Sequence, residues 1–465
     1  MTNALARLLL RGPSADPDAV AICTPDGTEW TYRQLVERSA QHAHALMQQG
    51  VAPGGRVAVQ CEKSADLLAL HLGCIRLGAV YVPLNPAYTA TELQVILNDA
   101  TPDLFISDGQ HHGALADISP REFTDIDRSP DDIAAILYTS GTTGTPKGVV
   151  LSQENLRWST QTLRDAWALT SSDTVLHMLP LFHTHGLFVA AYCALAAGAS
   201  IQLLNRFDTH HVLAQLPNVT VVMGVPTHYV RLLTQPELSP DTCRHIRLFT
   251  CGSAPLLATT HEAFFRRTHH RIVERYGMTE TCILTSNPID GPIKPGTVGQ
   301  PLPGVNLRVS QGESGEIEVQ GPNVFKGYWQ RPDLHEGTFT TDDWFRTGDL
   351  GVIDEDGYVE IIGRAKDLII SGGLNVYPKE VESVLNSIIG VDDSAVIGLP
   401  DADLGEMVTA VVVCSDPELG TEDVKTAARQ SLAGYKTPRR ILFVDELPRN
   451  ALGKVQKHLL RERFG

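Results

Sequence analysis

The sequence predicts an α/β fold: a large N-terminal part of layered α/β sheets, a small β-barrel-like part after it, and a small α+β domain at the C-terminus. Three observations predict this. Short apolar strands alternate with helices early in the chain, a second series of β-rich runs ends in glycine, proline or polar residues, and the texture changes after about residue 300 to short strands broken by turns. Alternation of strand and helix builds largely parallel sheets with helices packed on their faces.

In order, "RVAVQC" (56–61) reads as a short buried strand and "SADLLALHLGCIRLGA" (64–79) as a helix closed by glycine. "AVYVPL" (79–84) is a strand, "ATELQVILNDA" (90–100) a helix and "DLFISD" (103–108) a strand again. The second series is "TVLHMLPL" (174–181), "SIQLL" (200–204), "VTVVMGVP" (219–226), "IRLFTCG" (246–252) and "RIVERYG" (271–277). Such strand ends are where open α/β sheets bind ligands. Later, "NLRVS" and "GEIEVQG" are short strands, and "DEDGYVEIIGR" is a hairpin with an Asp-Gly turn. Beyond "GRAKDLIISGG" a small βαβ-like region begins. The expected division is 1–364, a connecting piece 365–367, and 368–465.

The 465 residues suit two to four domains or subdomains at roughly 100–200 residues each. A net charge of −16, from 38 basic and 54 acidic residues, argues against a general nucleic-acid or membrane-surface binder. An anionic ligand therefore needs a local positive pocket. The eight cysteines form no CxxC pair and no zinc spacing, so free thiols in a reducing cytoplasm are expected. The opening "MTNALARLLLRGPSADP" has no cleavage-like end, and no run approaches the roughly 18 apolar residues of a membrane helix.

The densest chemical signal is "YTSGTTGTPKGVV" (138–150), three glycines among hydroxyls with one lysine, after the apolar strand "IAAILY". Glycine orders reluctantly, so a ligand must offset the cost of fixing such a loop. Its amides and hydroxyls suit phosphate oxygens, and Lys147 adds charge. It is not a Walker A loop, because Pro146 precedes the lysine and Gly148 follows it.

With "GCIRLGAVYVPLNP", "PLFHTHG", "CGSAPL", "RYGMTE", "WFRTGDLG", "GRAKDLIISGGLNVYPKEVE" and "LPRNALGKVQK" following the family order, the chain resembles the acyl-adenylate-forming superfamily over nearly its whole length. That superfamily includes acyl-CoA synthetases, luciferases and adenylation domains. In detail it is most similar to the malonyl-CoA synthetases, through "PLFHTHGLFVA", "MGVPTHYVRLL", "GSAPLL", "RYGMTET" and "GPNVFKGYW". The resemblance implies an acid–thiol ligase that uses ATP, Mg²⁺ and coenzyme A. A carboxylate attacks the α-phosphorus of ATP, and the thiol of coenzyme A then displaces AMP from the acyl-adenylate.

The resemblance also assigns residues. Thr139, Ser140, Gly141, Thr142, Thr143, Gly144 and Lys147 hold the β- and γ-phosphates. Gly252, Ser253 and Ala254 wall the adenine, Tyr276 stacks on it within Tyr276–Gly277–Met278, and Thr279 meets the α-phosphate. Glu280, with Thr142, holds Mg²⁺. Asp349 takes the ribose hydroxyls, Arg364 the ribose and phosphate. Lys454 neutralises charge as the adenylate forms, which requires a mobile small domain. Lys366 is the hinge, and Gly372 and Gly373 pass the pantetheine.

For the acid, an arginine among apolar neighbours either snorkels outward or meets an anion. Arg231 in "VPTHYVRLL" is thus a candidate for the distal carboxylate of malonate or a 2-substituted malonate, with Arg206 weaker. His185 lines or gates the acyl pocket, and Thr184 and Met278 bound the space beside C2. His183 and His185 lack a third ligand for a metal. Other acyl-CoA synthetases, or a domain loading a carrier protein, are the alternatives. An amino acid would want an acidic pocket residue, and none is evident near "HTHG" or "VPTHYVR". A cytoplasmic monomer or weak homodimer handling only small molecules is expected.

Overall fold

The computed structural model describes residues 3–10, 16–108, 121–139, 146–310, 315–416, 418–449 and 454–465. Two sheets dominate the N-terminal part. In the larger, Leu248–Cys251 lies parallel between Val221–Gly224 and Ile272–Tyr276, and Thr174–His177 joins Val221–Gly224 to Ser200–Leu203. In the smaller, Arg56–Gln60 lies parallel between Leu104–Ser107 and Val80–Pro83. Its far edge is the antiparallel hairpin of Ile133–Thr139 and Lys147–Ser152.

Helix Ala65–Leu77 shows why the layers hold. Ser64 caps it by accepting from the Leu67 amide at 3.0 Å, and Gly78 ends it in the left-handed region at φ 74°. Every residue between except Asp66 is buried, as befits a helix that is apolar all round. Its one buried cation, Arg76, spends its donors on Asp125 Oδ1 at 2.6 Å and on the Phe123 and Val36 carbonyls.

A second fully buried helical run begins as π turns over His185–Ala191 and continues as α-helix Tyr192–Ala197. Such π turns concentrate at functional sites. Gly186 is required at its start, because a Cβ there would sit 2.0 Å from the Pro180 carbonyl oxygen.

The barrel-like part takes the form of a four-stranded antiparallel meander, Asn306–Val309, Gly315–Gln320, Phe345–Ile353 and Val359–Arg364. The hairpin between the last two turns at Gly357, φ 81°, in the anticipated Asp-Gly position. A 3₁₀ turn, Ala365–Asp367, leads into the small domain. That domain has its own core of Ile369, Val381, Leu385, Val396, Val408, Val412 and Ile441. Its long hairpin, Val391–Asp401 with Gly405–Cys414, carries Arg440–Phe443 in parallel on one edge. Arg461 on the last helix pairs with Asp367 at 2.9 Å, and Lys379 donates to the Ile361 carbonyl of the meander.

Within strand Ile272–Tyr276, Glu274 is buried, and burial pushes its carboxyl up to about 8; the Gly296 amide and Lys379 oppose this only in part. The folded state therefore holds a proton that the unfolded chain has lost above its ordinary carboxylate range near 4.5. Stability from this group is greatest at low pH and is lost as pH rises from about 4.5 to 8. Glu274→Gln should flatten the fall in melting temperature between pH 5 and 8, by several degrees at the upper end; an unchanged pH profile would put the proton elsewhere.

Candidate active site

Three parallel strands end in register, with Gly224, Cys251 and Glu274 side by side. The residues that follow them, Val225, Gly252 and Tyr276–Gly277, form one rim of a cleft. The meander supplies Asp349 and Arg364 as directly paired residues of neighbouring strands. Asp349 is 3% exposed. Its Oδ1 lies 2.6 Å from Arg364 Nε, and its Oδ2 accepts the Tyr276 hydroxyl at 2.6 Å. Burial works against the Arg364 charge, but Asp349, Tyr276 and Glu280 outweigh it and hold its pKa above the ordinary value. The tyrosine ring expected to meet adenine is thus pinned by its hydroxyl to the carboxylate expected to meet ribose.

Glu280 is likewise buried, and burial raises its pKa; its own amide and the Tyr328 hydroxyl, which donates at 3.0 Å, pull the other way. Among the described residues it has no salt-bridge partner within 4.0 Å. A buried oxygen donor of this kind suits a hard divalent cation.

The hydroxyl-rich loop is the connection of the Ile133–Lys147 hairpin, whose last pair is Thr139 with Lys147. Ser140, Gly141, Thr142, Thr143 and Gly144 lie outside the described residues. Lys147 Nζ stands 5.4 Å from the centre of the Tyr328 ring.

Lys454 comes from the small domain. Its side chain is exposed at the cleft, yet the crowding around it desolvates the ammonium and, with Arg364, lowers its pKa, while Asp349 and Glu280 oppose the shift. These are the groups expected to meet the nucleotide and its metal, so a lysine 90 positions beyond Arg364 is brought near them. Lys366 lies exposed in the 3₁₀ turn, its pKa lowered by desolvation. Gly372 and Gly373 form the tip of the hairpin Ile369–Ser371 with Leu374–Val376, both in the left-handed region at φ 59° and 77°. Their neighbours Ile370 and Leu374 are exposed.

On the acid side, His185 is buried at the head of the π turns, and Ser253 Oγ is 3.3 Å from its Nδ1. Ser253 sits at φ 71°, a strained conformation for a residue with a Cβ. Burial, then Arg275, then the other histidines hold His185 far below its ordinary pKa, so it is neutral. His183 is held down to about 3 by burial and by Lys454 and Arg275. Thr184 Oγ1 is buried with no partner among the described residues. Met278 is half-buried against the core.

The arginines are distributed in a way the sequence reading missed. Arg231 and Arg206 are exposed. On helix Pro226–Leu233, Tyr229 and Leu232 face the core, which turns Arg231 outward; burial, and then Arg231, hold His228 down to about 3. The buried guanidinium is Arg275, 4% exposed, on the strand that carries Tyr276. Its Nε and Nη2 have no partner among the described residues, and no carboxylate pairs with it there. Burial draws its pKa down to about 10, still a cation at neutral pH. Gly252 is required beside it, because a Cβ would lie 2.5 Å from the guanidinium carbon. The signal was present: two charges in "IVERY" interrupt a central parallel strand that should read as continuously apolar.

The comparisons with known proteins agree with this geometry. Residues 11–329 match the AMP-binding enzyme family, and residues 380–454 match the AMP-binding enzyme C-terminal domain. The chain belongs to that family, a member of the acyl-adenylate-forming superfamily. It is 34% identical to the malonate–CoA ligase of Arabidopsis thaliana, covering 96% of this chain and 86% of that protein. It is 35% identical to a feruloyl-CoA synthase of Amycolatopsis sp, covering 98% of each. Among solved structures, ATP-bound MatB from Rhodopseudomonas palustris superposes with a TM-score of 0.96 at 46% identity, over 100% of this chain and 99% of that one. Apo MatB superposes less closely, at 0.85. The present domain arrangement is therefore nearer that of the ATP-bound relative. Among the described residues no helix is long and apolar enough to cross a membrane.

Asp349→Asn should leave Arg364 facing a neutral partner. Because the guanidinium is about one-third exposed, the expected loss is moderate, about 1–3 kcal/mol in chemical denaturation without nucleotide. Loss of ATP affinity with unchanged stability would show that the pair serves binding alone.

Proposed function

We propose that this protein is an AMP-forming acid–CoA ligase whose acid is malonate or a small 2-substituted malonate. The observation that carries the acid assignment is Arg275, a buried guanidinium with no carboxylate among the described residues, beside Ser253 and two neutral histidines. An unpaired buried cation is costly, and a guanidinium binds a carboxylate bidentately. The distal carboxylate of a dicarboxylic acid supplies the missing charge, with Arg231 at the rim of the pocket rather than in it. The malonate–CoA ligase relative supports the same reading, while the feruloyl-CoA synthase shows that family membership alone does not fix the acid.

With the distal carboxylate on Arg275, the other carboxylate is directed toward the cleft where Asp349 and Arg364 hold the nucleotide and Lys454 enters. Its oxygen attacks the α-phosphorus and pyrophosphate leaves; Lys454 and Arg364 stabilise the charge that develops. Glu280, with Thr142 as the sequence resemblance implies, would hold Mg²⁺, which would supply neutralisation of the phosphates. The neutral His183 and His185 exclude water without adding a competing cation. The thiol of coenzyme A then attacks the acyl carbon and expels AMP. Lys454 occupies the face from which a thiol would come, so the small domain swings about Lys366 and presents Gly372 and Gly373 to the pantetheine. We place the domains at 1–364 and 368–465 on either side of this hinge, in a cytoplasmic enzyme.

A panel of mono- and dicarboxylic acids with ATP and coenzyme A, read as AMP release, tests the acid. Malonate should far exceed octanoate, whose chain leaves Arg275 unpaired at roughly 2–5 kcal/mol. Arg275→Gln should lower kcat/KM for malonate at least about a hundredfold, the loss of a charged hydrogen-bonded pair, with ATP affinity little changed. Equal rates with octanoate and malonate would end the assignment.

Lys366→Pro tests the hinge. Malonate-dependent ATP–pyrophosphate exchange should persist, and thioester formation from preformed adenylate should collapse. Equal losses in both half-reactions would argue against a pivot there.

A further inference from the structure

Tyr328 has no place in the reading above, yet it touches two of its components. It belongs to a short extended piece that continues the nucleotide-loop hairpin: Tyr328 bridges Val149, the Val150 amide donates to the Gly327 carbonyl at 3.3 Å, and the Trp329 amide donates to the Gly148 carbonyl at 2.7 Å. The hydroxyl donates to Glu280 Oε1 at 3.0 Å. The ring lies under the Lys147 ammonium, 5.4 Å from centre to Nζ, within the range of a cation–π contact. The edge of Phe325 packs on the ring with centroids 4.9 Å apart, and the Phe325 amide donates to the Glu280 carbonyl at 2.8 Å. Tyr328 therefore has its backbone on the strand that leaves the loop, its hydroxyl on the carboxylate, and its face under the loop's lysine.

We propose that Tyr328 is a positioning residue that holds the Glu280 carboxylate and the Lys147 ammonium as one unit, so that Mg²⁺ and the triphosphate of ATP are received together. The inference rests on the reading of Glu280 and Lys147 as magnesium and phosphate ligands. The hydroxyl fixes which way the buried carboxylate is turned before the cation arrives. The ring gives the lysine a resting place that costs little to leave, since an exposed cation–π contact is weaker than a charged contact with phosphate.

The test is ATP binding to the full-length protein, followed by calorimetry across a titration of free Mg²⁺, without acid or coenzyme A. Tyr328→Phe keeps the ring and removes the hydroxyl. It should raise the Mg²⁺ concentration for half-maximal tightening of ATP binding about tenfold, the worth of a hydrogen bond to a charged group, and leave ATP affinity in EDTA unchanged. Tyr328→Leu should also weaken binding in EDTA, because Lys147 loses its platform. Glu280→Gln reports on the underlying reading. A midpoint that moves in Glu280→Gln but not in Tyr328→Phe overturns the role of Tyr328 and leaves the magnesium assignment standing. A midpoint unmoved in both overturns the assignment of Glu280, and this inference with it. If Tyr328→Phe unfolds the protein, Tyr328→Leu, which also removes the hydroxyl, carries the test: a raised Mg²⁺ midpoint is expected, and an unmoved one overturns the role of Tyr328.

Discussion

The structure turns on charge balance around one buried carboxylate. Asp349 holds Arg364 at 2.6 Å and accepts from Tyr276 at the same distance. Arg364, Lys366 and Lys454 gather around it, and each lowers the affinity of a neighbour for its proton. Two unit charges 4 Å apart interact by about 4 kcal/mol near a protein surface. Asp349, and Glu280 with it, oppose the mutual repulsion of these cations at Lys454. The pair also fixes geometry. It joins the last two strands of the meander at the residue preceding the Ala365–Asp367 turn, so the nucleotide site and the route into the small domain share one anchor.

The acid end of the cleft solves the opposite problem. Arg76 shows what this chain does with a structural buried arginine: it surrounds the guanidinium with a carboxylate and carbonyls. Arg275 has no such company: the titratable groups around it are Cys251, Tyr229 and Cys193, with His183 and His185, both held neutral, also within its field. The contrast within one molecule separates an arginine that staples the fold from one that the proposed function reserves for an anion. Gly252 belongs to the same solution, since any side chain there would occupy the volume of the guanidinium.

Much of this was legible in the sequence. Strand and helix alternation, Ser64 and Gly78 as helix punctuation, and the Gly357 turn are local signals, and local chemistry decides them. The residues expected to meet the nucleotide could be named because short motifs carry them, and the fold brings Asp349, Arg364, Glu280 and Lys454 near one another. The acid pocket was harder. Arg231 has apolar sequence neighbours, but on an eight-residue helix neighbours in sequence point in different directions, and its own direction is outward. The charges in "IVERY" marked Arg275 as unusual, but only the pairing of Leu248–Cys251 with Ile272–Tyr276 puts it behind Gly252. Tyr328 was hidden for the same reason: its partners, Val149 and Glu280, are remote in sequence, and no local rule connects them.

The small domain differs from the meander in what holds it. Its core closes without help from the large part, from Ile369 through Val381, Val396 and Val408 to Ile441, and Arg461 ties its last helix to Asp367 in the connecting turn. Among the described residues its polar attachments to the large part include Lys379 on the Ile361 carbonyl and Lys454 near the charges of the cleft. Polar contacts are exchanged for water at little net cost, whereas a shared apolar core is not. A domain built this way keeps its fold while its docking changes. On the proposed reading, the charges around Lys454 are those a nucleotide would alter, so the occupant of the cleft would set how firmly the domain is held.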